Sequence, residues 1–253
     1  MSAFDIFLAI MAVTAVPVFI ALFFVDAGYG KFYNSKWGPA ISNKVGWVMM
    51  ECPVFFTMLA LWWFSGRRDD LVRLVFLIVF EIHYFNRSFI FPSLIRGKGK
   101  MPLSVIVMAV IFNLLNAAMQ GGWIFYVSEP SHYTADWLTS PQMLIGIAMF
   151  FTGMYINIKS DSIIRGLRKP GDTNHYLPKK GMFRYVTSAN YFGEIVEWCG
   201  FAIMTWSAAG ALFAVWTFAN LAPRASRIYK RYISEFPEEM SNSKVKRIIP
   251  FIW

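Results

Sequence analysis

Five stretches of this chain, 7–25, 71–80, 103–127, 143–156 and 199–222, are almost without charged residues. About 20 apolar residues cross a hydrocarbon core of roughly 30 Å as a helix. Within that core a backbone must satisfy all of its own hydrogen bonds, so a chain with several such stretches is confined to a bundle of membrane helices. Composition agrees: 57% of the 253 residues are hydrophobic and 15% are charged, against roughly 25% charged in an ordinary soluble domain.

Hydropathy places helices at 4–25, 46–64, 71–92, 103–127, 139–164, 188–206 and 209–233, giving an all-α, polytopic membrane protein with seven transmembrane helices. The apolar stretch 186–222 is too long for one crossing, and Ser207-Ala208-Ala209-Gly210 is where it folds back. The first run has no basic stretch before it and no clear small-residue cleavage site after it, so it is read as a retained span.

Loop charges then set the orientation, because Lys and Arg are retained on the cytoplasmic side. Lys31, Lys36 and Lys44 mark the first loop, Arg96, Lys98 and Lys100 the third, residues 165–184 the fifth, and Arg224 onward the tail. Between them, Arg67-Arg68-Asp69-Asp70 sums to zero and 128–139 has neither Lys nor Arg. The N-terminus is therefore expected outside and the C-terminus in the cytosol. The net charge of +9 belongs to these loops and indicates membrane topology, not nucleic-acid binding. Cys52 and Cys199 lie within or beside apolar segments, outside any C-x-x-C or Cys/His cluster, so neither a disulfide framework nor a metal site is expected. With no repeat, low-complexity tract or second domain, residues 1–253 read as one unit, expected to be a monomer in the lipid bilayer.

Ionisable groups inside spans are costly in hydrocarbon and default to functional candidates. Here they cluster: Glu51 in the second span; Glu81, His83, Tyr84, Asn86 and Arg87 in the third; Asn157, Lys159 and Asp161 ending the fifth; Asn190, Glu194 and Glu197 opening the sixth. Helical spacing puts Tyr84 with Arg87 on one face, Asn157, Asp161, Arg165 and Arg168 on another, and Asn190, Glu194 and Glu197 on a third. A single buried Asn or Glu is more often an interhelical hydrogen-bond partner than a reacting group. A lone His83 is more often a packed histidine than a metal ligand. Three polar faces at the same ends of three spans nevertheless imply one shared cavity, open to water or filled by a ligand.

Several motifs point further. Asn157-Ile158-Lys159-Ser160-Asp161 runs on through Arg165-Gly166-Leu167-Arg168-Lys169-Pro170-Gly171. Gly181-Met182-Phe183-Arg184-Tyr185-Val186 and Ala189-Asn190-Tyr191-Phe192-Gly193-Glu194-Ile195-Val196-Glu197-Trp198 follow. Gly28-Tyr29-Gly30-Lys31, Met50-Glu51-Cys52-Pro53, His83-Tyr84-Phe85-Asn86-Arg87-Ser88-Phe89 and the tail Ile249-Pro250-Phe251-Ile252-Trp253 agree with them. Together they resemble the steroid 5α-reductase family, the 3-oxo-5α-steroid 4-dehydrogenases, most densely after Met154. The resemblance implies an enzyme that moves a hydride from NADPH to carbon 5 of a 4-ene-3-oxo steroid, with a cofactor-binding half at about 103–253. It assigns Glu51 and Tyr84 to the steroid carbonyl, Tyr29 to the substrate, and Asn190 and Glu194 to the nicotinamide and reaction centre. Arg87, Lys98, Asn157, Asp161, Arg165, Arg168, Asn190 and Tyr232 fall where the family holds the dinucleotide. Where relatives carry histidines near the end of the last span, this chain has Ser226-Arg227-Ile228-Tyr229. A bacterial member in a cytoplasmic membrane is expected, or an endoplasmic reticulum membrane for a eukaryotic one.

The residues suit that chemistry. Reducing a conjugated enone needs a hydride at the β-carbon and a donor at the carbonyl oxygen, where negative charge gathers. A tyrosine hydroxyl and a protonated carboxyl supply such donors, each worth roughly 3–4 kcal/mol when preorganised. No G-x-G-x-x-G follows a strand, so a Rossmann site is excluded and the dinucleotide must lie among helices and loops. Arg165, Arg168 and Lys169 suit the extra phosphate of NADPH. A reductase of another lipid enone or enoyl thioester, a membrane methyltransferase using S-adenosylmethionine, and a small transporter are the rivals; the absence of repeated halves counts against the last.

Overall fold

The structure, a computed structural model, describes residues 1–25, 28, 33–168, 172 and 174–253. Ser2 opens helix α1 (Ala3–Phe24) with a capping box: the Asp5 amide donates to the Ser2 hydroxyl at 3.1 Å and the Ser2 amide to the Asp5 carboxylate at 2.7 Å. There follow α2 (Asn43–Phe64), α3 (Leu71–Phe85), a π-helical turn (Asn86–Ile90), α4 (Phe91–Leu94) and α5 (Leu103–Gly121), which a second π turn (Gly122–Val127) extends. The remainder is α6 (Pro141–Gly166), α7 (Ala189–Thr205), α8 (Ala208–Glu235) and the short α9 (Pro237–Ser241).

These helices overlie the expected segments. Five of them, Ala3–Phe24, Asn43–Phe64, Leu71–Leu94, Leu103–Val127 and Pro141–Gly166, are long and apolar enough to cross a membrane among the described residues. The chain is a helical, multi-pass membrane protein. Helix α7 has only 17 residues, and α8 becomes charged from Arg224 onward, which sets both apart from those five. Hydropathy shows no strand, yet a two-stranded antiparallel ribbon forms: β1 (Ala40–Ser42) pairs with β2 (Lys100–Pro102), Ile41 opposite Met101. Three residues a strand are too few for a periodic signal.

Helices α6 and α7 pack backbone to backbone. Gly146 and Gly153 on α6 meet Gly193 and Gly200 on α7, and each pair is seven residues apart. A Cβ added at any of the four falls into the facing backbone, 2.5 Å from the Asn157 nitrogen in the case of Gly193. Small residues permit this approach in a membrane, where packing replaces the hydrophobic effect between helices. Helix α8 lies between α7 and α1, and Trp216 donates to the Met11 carbonyl at 3.1 Å.

The ribbon joins the starts of α2 and α5 at one end of the bundle. The end of α3, the end of α6 and the start of α7 lie at this end too, and so does Arg227 of α8, which donates to Val25 at the close of α1, 2.7 Å away. The opposite end is closed by Arg73, fully buried, which bonds Ile124 and Glu129 carbonyls at 2.8 and 2.9 Å, pairs with Asp70 and stacks on Tyr133. There the Tyr133 hydroxyl donates to the Thr205 carbonyl at 2.6 Å, tying the loop before α6 to the end of α7.

Candidate active site

Glu51 faces inward from α2. Asn113 on α5 donates to its Oε2 at 3.2 Å and to the Met50 carbonyl at 2.6 Å. From α3 comes Tyr84, 3% exposed. Asn116 donates to the oxygen of its hydroxyl at 3.0 Å, so the hydroxyl proton remains to be donated. Gln120 finishes this amide column by donating to the Ala209 carbonyl at 2.9 Å.

A second network joins α3, α6 and α7. Asn157 donates to the Asn190 carbonyl at 3.0 Å and to Glu194 Oε2 at 3.4 Å. Asn190 in turn donates to Asp161 Oδ1 at 3.0 Å, and Asp161 Oδ2 lies 3.7 Å from Arg87. Arg87 belongs to the π turn after Tyr84, a wider turn that recurs at functional sites. Its guanidinium lies 4.5 Å from the Trp47 ring and 4.6 Å from that of Phe91. Asp161 thus makes its hydrogen bond and its ion pair with partners on other elements, Asn190 and Arg87.

Both networks border one cavity of about 720 Å³, lined by Glu51, Tyr84, Arg87, Asp161, Arg165, Arg168, Asn190, Glu194 and Tyr232. That lies within the roughly 300–1,000 Å³ common for small-molecule sites. Its composition changes along its length. Around Glu51 and Tyr84 the walls are Met50, Phe112, Trp198, Phe213 and Trp216, whereas the guanidinium groups come from Arg96 just after α4, Arg165 and Arg168 at the close of α6, and Arg224 within the second half of α8. Apolar walls suit an apolar molecule, and guanidinium groups suit an anion.

Not every expected residue reaches it. Asn157 is buried behind the wall and acts on Asn190 and Glu194. Lys98 is exposed in the loop that leads into β2, beside Gly97 with its positive φ of 110°, and does not line the cavity. Tyr29, with Gly30, Lys31 and Lys169, lies outside the described residues. Glu81 and Asn86 turn away and border a separate apolar cleft of about 450 Å³ between α2, α3 and α6, because the helical period sets them on the flanks of the His83, Tyr84 and Arg87 face.

Sequence reasoning passed over Asn113, Asn116 and Gln120, which sit in a run chosen for its lack of charge; their i, i+3, i+7 spacing was the available signal. It also separated His83 from Glu197. The two are joined by a buried hydrogen bond of 2.7 Å between Nδ1 and Oε1. Thr217, Asn220 and Arg224 of α8, further lining residues, were likewise missed.

Comparison with known proteins identifies the family. The family model for 3-oxo-5-alpha-steroid 4-dehydrogenase matches residues 99–253. The 3-oxo-5-alpha-steroid 4-dehydrogenase 1 of Mus musculus is 39% identical over 94% of this chain and 92% of its own length. Its Homo sapiens counterpart is 40% identical over 89% and 86%. Steroid 5-alpha-reductase DET2 of Arabidopsis thaliana is 37% identical over 94% and 92%. These relatives are mammalian and plant proteins and lend no support to the expectation of a bacterial member. The chain belongs to the 3-oxo-5-alpha-steroid 4-dehydrogenase family.

Proposed function

We propose that this protein is a membrane-embedded steroid 5α-reductase that transfers a hydride from NADPH to carbon 5 of a 4-ene-3-oxo steroid, giving the 5α-reduced 3-oxo steroid. The observation that carries the proposal is the single cavity with Glu51 and Tyr84 between apolar walls and Arg96, Arg165, Arg168 and Arg224 toward its basic end. The names of its relatives, 3-oxo-5-alpha-steroid 4-dehydrogenase and steroid 5-alpha-reductase, supply the substrate class.

The residues suit NADPH: several guanidinium groups at one end match its phosphates, while the Asn157, Asn190 and Asp161 amide and carboxylate network stands between that end and Tyr84. When bound, NADPH supplies the hydride. Arg165 and Arg168 would hold phosphate, with Tyr232 on the same cavity wall, and Asn190, Glu194 and Arg87 would orient the nicotinamide end. Glu51 and Tyr84 donate to the carbonyl oxygen as negative charge develops there, the electrostatic role that carries most weight in such reactions. Asn113 fixes Glu51 through its Oε2, and Asn116 fixes Tyr84 by donating to the hydroxyl oxygen, whose own proton is left for the substrate. One chain contains the whole site, so a monomer suffices.

On this reading α7 and α8 complete seven crossings, with the N-terminus outside and the C-terminus and basic end in the cytosol, where NADPH is available. The alternation of basic and neutral loops supports that orientation. The test is the purified protein in detergent with NADPH and a 4-ene-3-oxo steroid, followed at the cofactor's absorbance band. Steroid-dependent loss of absorbance is expected, and none with a panel of such steroids overturns the reading.

A further inference from the structure

The reduction consumes one hydride and one proton per turnover, and the residues assigned above account for the hydride and for the carbonyl oxygen but not for the proton that ends on the α-carbon. We propose that His83, oriented by Glu197, supplies that proton. The inference rests on the reductase reading and deepens it.

The geometry is that of a built pair. Glu197 is completely buried, and its Oε1 accepts from or shares a proton with His83 Nδ1 at 2.7 Å. With Nδ1 engaged, the tautomer and the ring orientation are fixed, the role a buried carboxylate plays behind a general acid–base histidine. His83 itself is 4% exposed and lines the cavity, so its remaining Nε2 edge is the one available to a bound molecule. The ring is held between Tyr84 and Trp198, with centroids 4.9 and 4.6 Å away. It therefore stands beside the residue assigned to the carbonyl, and the α-carbon of an enone is the next atom along from the carbonyl carbon. A purely structural pair needs no place in the cavity wall, and a buried carboxylate is costly to keep unless it is used or satisfied. The second oxygen of Glu197 has no hydrogen-bond partner among the described residues.

The step balances. Hydride addition at the β-carbon leaves an enolate. The enolate's carbon–carbon electron pair takes the proton from His83 Nε2, so a C–H bond forms at the α-carbon, the ketone is restored, and a neutral imidazole remains. Solvent returns the proton through the basic end of the cavity. The charged and titratable groups facing the pair are Glu51 from α2, Tyr84 and Arg87 from α3 and its π turn, Asp161 from α6 and Glu194 from α7. Glu197 is the positioning residue and His83 the donor.

The experiment is steady-state kinetics over a range of pH with the full chain, comparing His83→Gln, Glu197→Gln and Glu197→Asp. H83Q is expected to lower kcat about 100-fold or more, with steroid KM and NADPH binding by fluorescence within about 3-fold of the unaltered protein, and to lose the fall in kcat on the alkaline side. E197Q is expected to lower kcat at least about tenfold and E197D to restore part of it. H83Q turning over within about 3-fold of the unaltered protein, with the same pH profile, overturns the proposal. Where a variant fails to bind NADPH, the unaltered protein decides: a kcat slowed at least about twofold in deuterium oxide, with an alkaline fall, is expected, and a kcat indifferent to both pH and solvent isotope overturns the inference. Absence of any steroid-dependent NADPH oxidation by the unaltered protein defeats the reductase reading instead, so the two failures are distinct.

Discussion

Asn116 donates to the hydroxyl oxygen of Tyr84 across the interface of α5 and α3, at 3.0 Å. Because the oxygen is occupied as an acceptor, the hydroxyl is preset as a donor. Tyr84→Phe is therefore expected to reduce kcat by about 10²–10³ while leaving NADPH affinity nearly unchanged. Asn116→Ala, which frees the hydroxyl to rotate, is expected to cost about tenfold. Steady-state kinetics with a saturating steroid separates the two, and equal loss of cofactor affinity in both contradicts the assignment.

Glu51 is braced by Asn113 in the same way. Glu51→Ala removes both the donor and the acidic proton, whereas Glu51→Gln keeps an N–H donor at that place. The ordering expected for kcat is unaltered protein, then E51Q, then E51A, the last lower by about 10²–10³. An E51A enzyme as fast as the unaltered protein removes Glu51 from the chemistry.

Arg168 lies at the other end of the cavity and donates to the Asn174 carbonyl at 2.8 Å. Arg168→Ala is expected to raise the Kd for NADPH by about tenfold or more, with a much smaller effect on kcat at saturation, since a charge-assisted phosphate contact contributes roughly 1.5–3 kcal/mol. Fluorescence titration of the bound nucleotide measures it. Unchanged affinity places the phosphates elsewhere.

The glycines between α6 and α7 carry a structural prediction. Gly153→Ala puts a methyl group into the α7 backbone beside Glu197, and overpacking of this kind costs about 1–3 kcal/mol. Because the shift acts on the helix that carries Asn190 and Glu194, activity should fall together with the melting temperature in detergent. A variant as stable and active as the unaltered protein means that the two helices tolerate separation.

His132, in the loop before α6, is outside the spans, and burial, with the nearby Arg73 guanidinium, lowers its pKa from the ordinary 6.5. The neutral ring is thus favoured in the fold, and the unfolded chain takes up a proton first as pH falls. Stability from this residue is present above pH 6.5 and declines below it. Melting near pH 5.5 should come earlier than near pH 7.5, and His132→Phe should narrow the difference. An unchanged difference in that variant assigns the pH effect to other groups.

Much of this architecture is legible in the sequence because hydrocarbon is a severe filter. A membrane helix must be apolar for about 20 residues, which fixes α1, α2, α3, α5 and α6 closely, and the Asn190, Glu194 face and the Asp161 to Arg168 course follow from a period of 3.6. What escaped is what that filter cannot see. Asn113, Asn116 and Gln120 are uncharged and disappear into the average of an apolar run, yet the first two brace Glu51 and Tyr84 and Gln120 holds Asn116. Glu81 looked like a member of the Tyr84 group and lies on its flank. The π turn at Arg87 and the β1–β2 ribbon are too short for any periodic signal. The tail returns to the start of α7, with the Thr187 amide donating to the Lys246 carbonyl at 2.9 Å, a long-range pairing that no local pattern announces. Lys98 shared the charge but not the direction of the other basic residues.

Catalysis here requires a reduced nucleotide and a steroid to meet between Tyr84 and Glu194. The most direct measurement is turnover of a 4-ene-3-oxo steroid with NADPH deuterated at the nicotinamide carbon 4, followed by locating the label in the product by nuclear magnetic resonance. Deuterium at carbon 5, in the 5α configuration, is the result expected, with formation of that product sharply slowed in Y84F. Unreduced steroid, or a reduced product without deuterium at carbon 5, contradicts it.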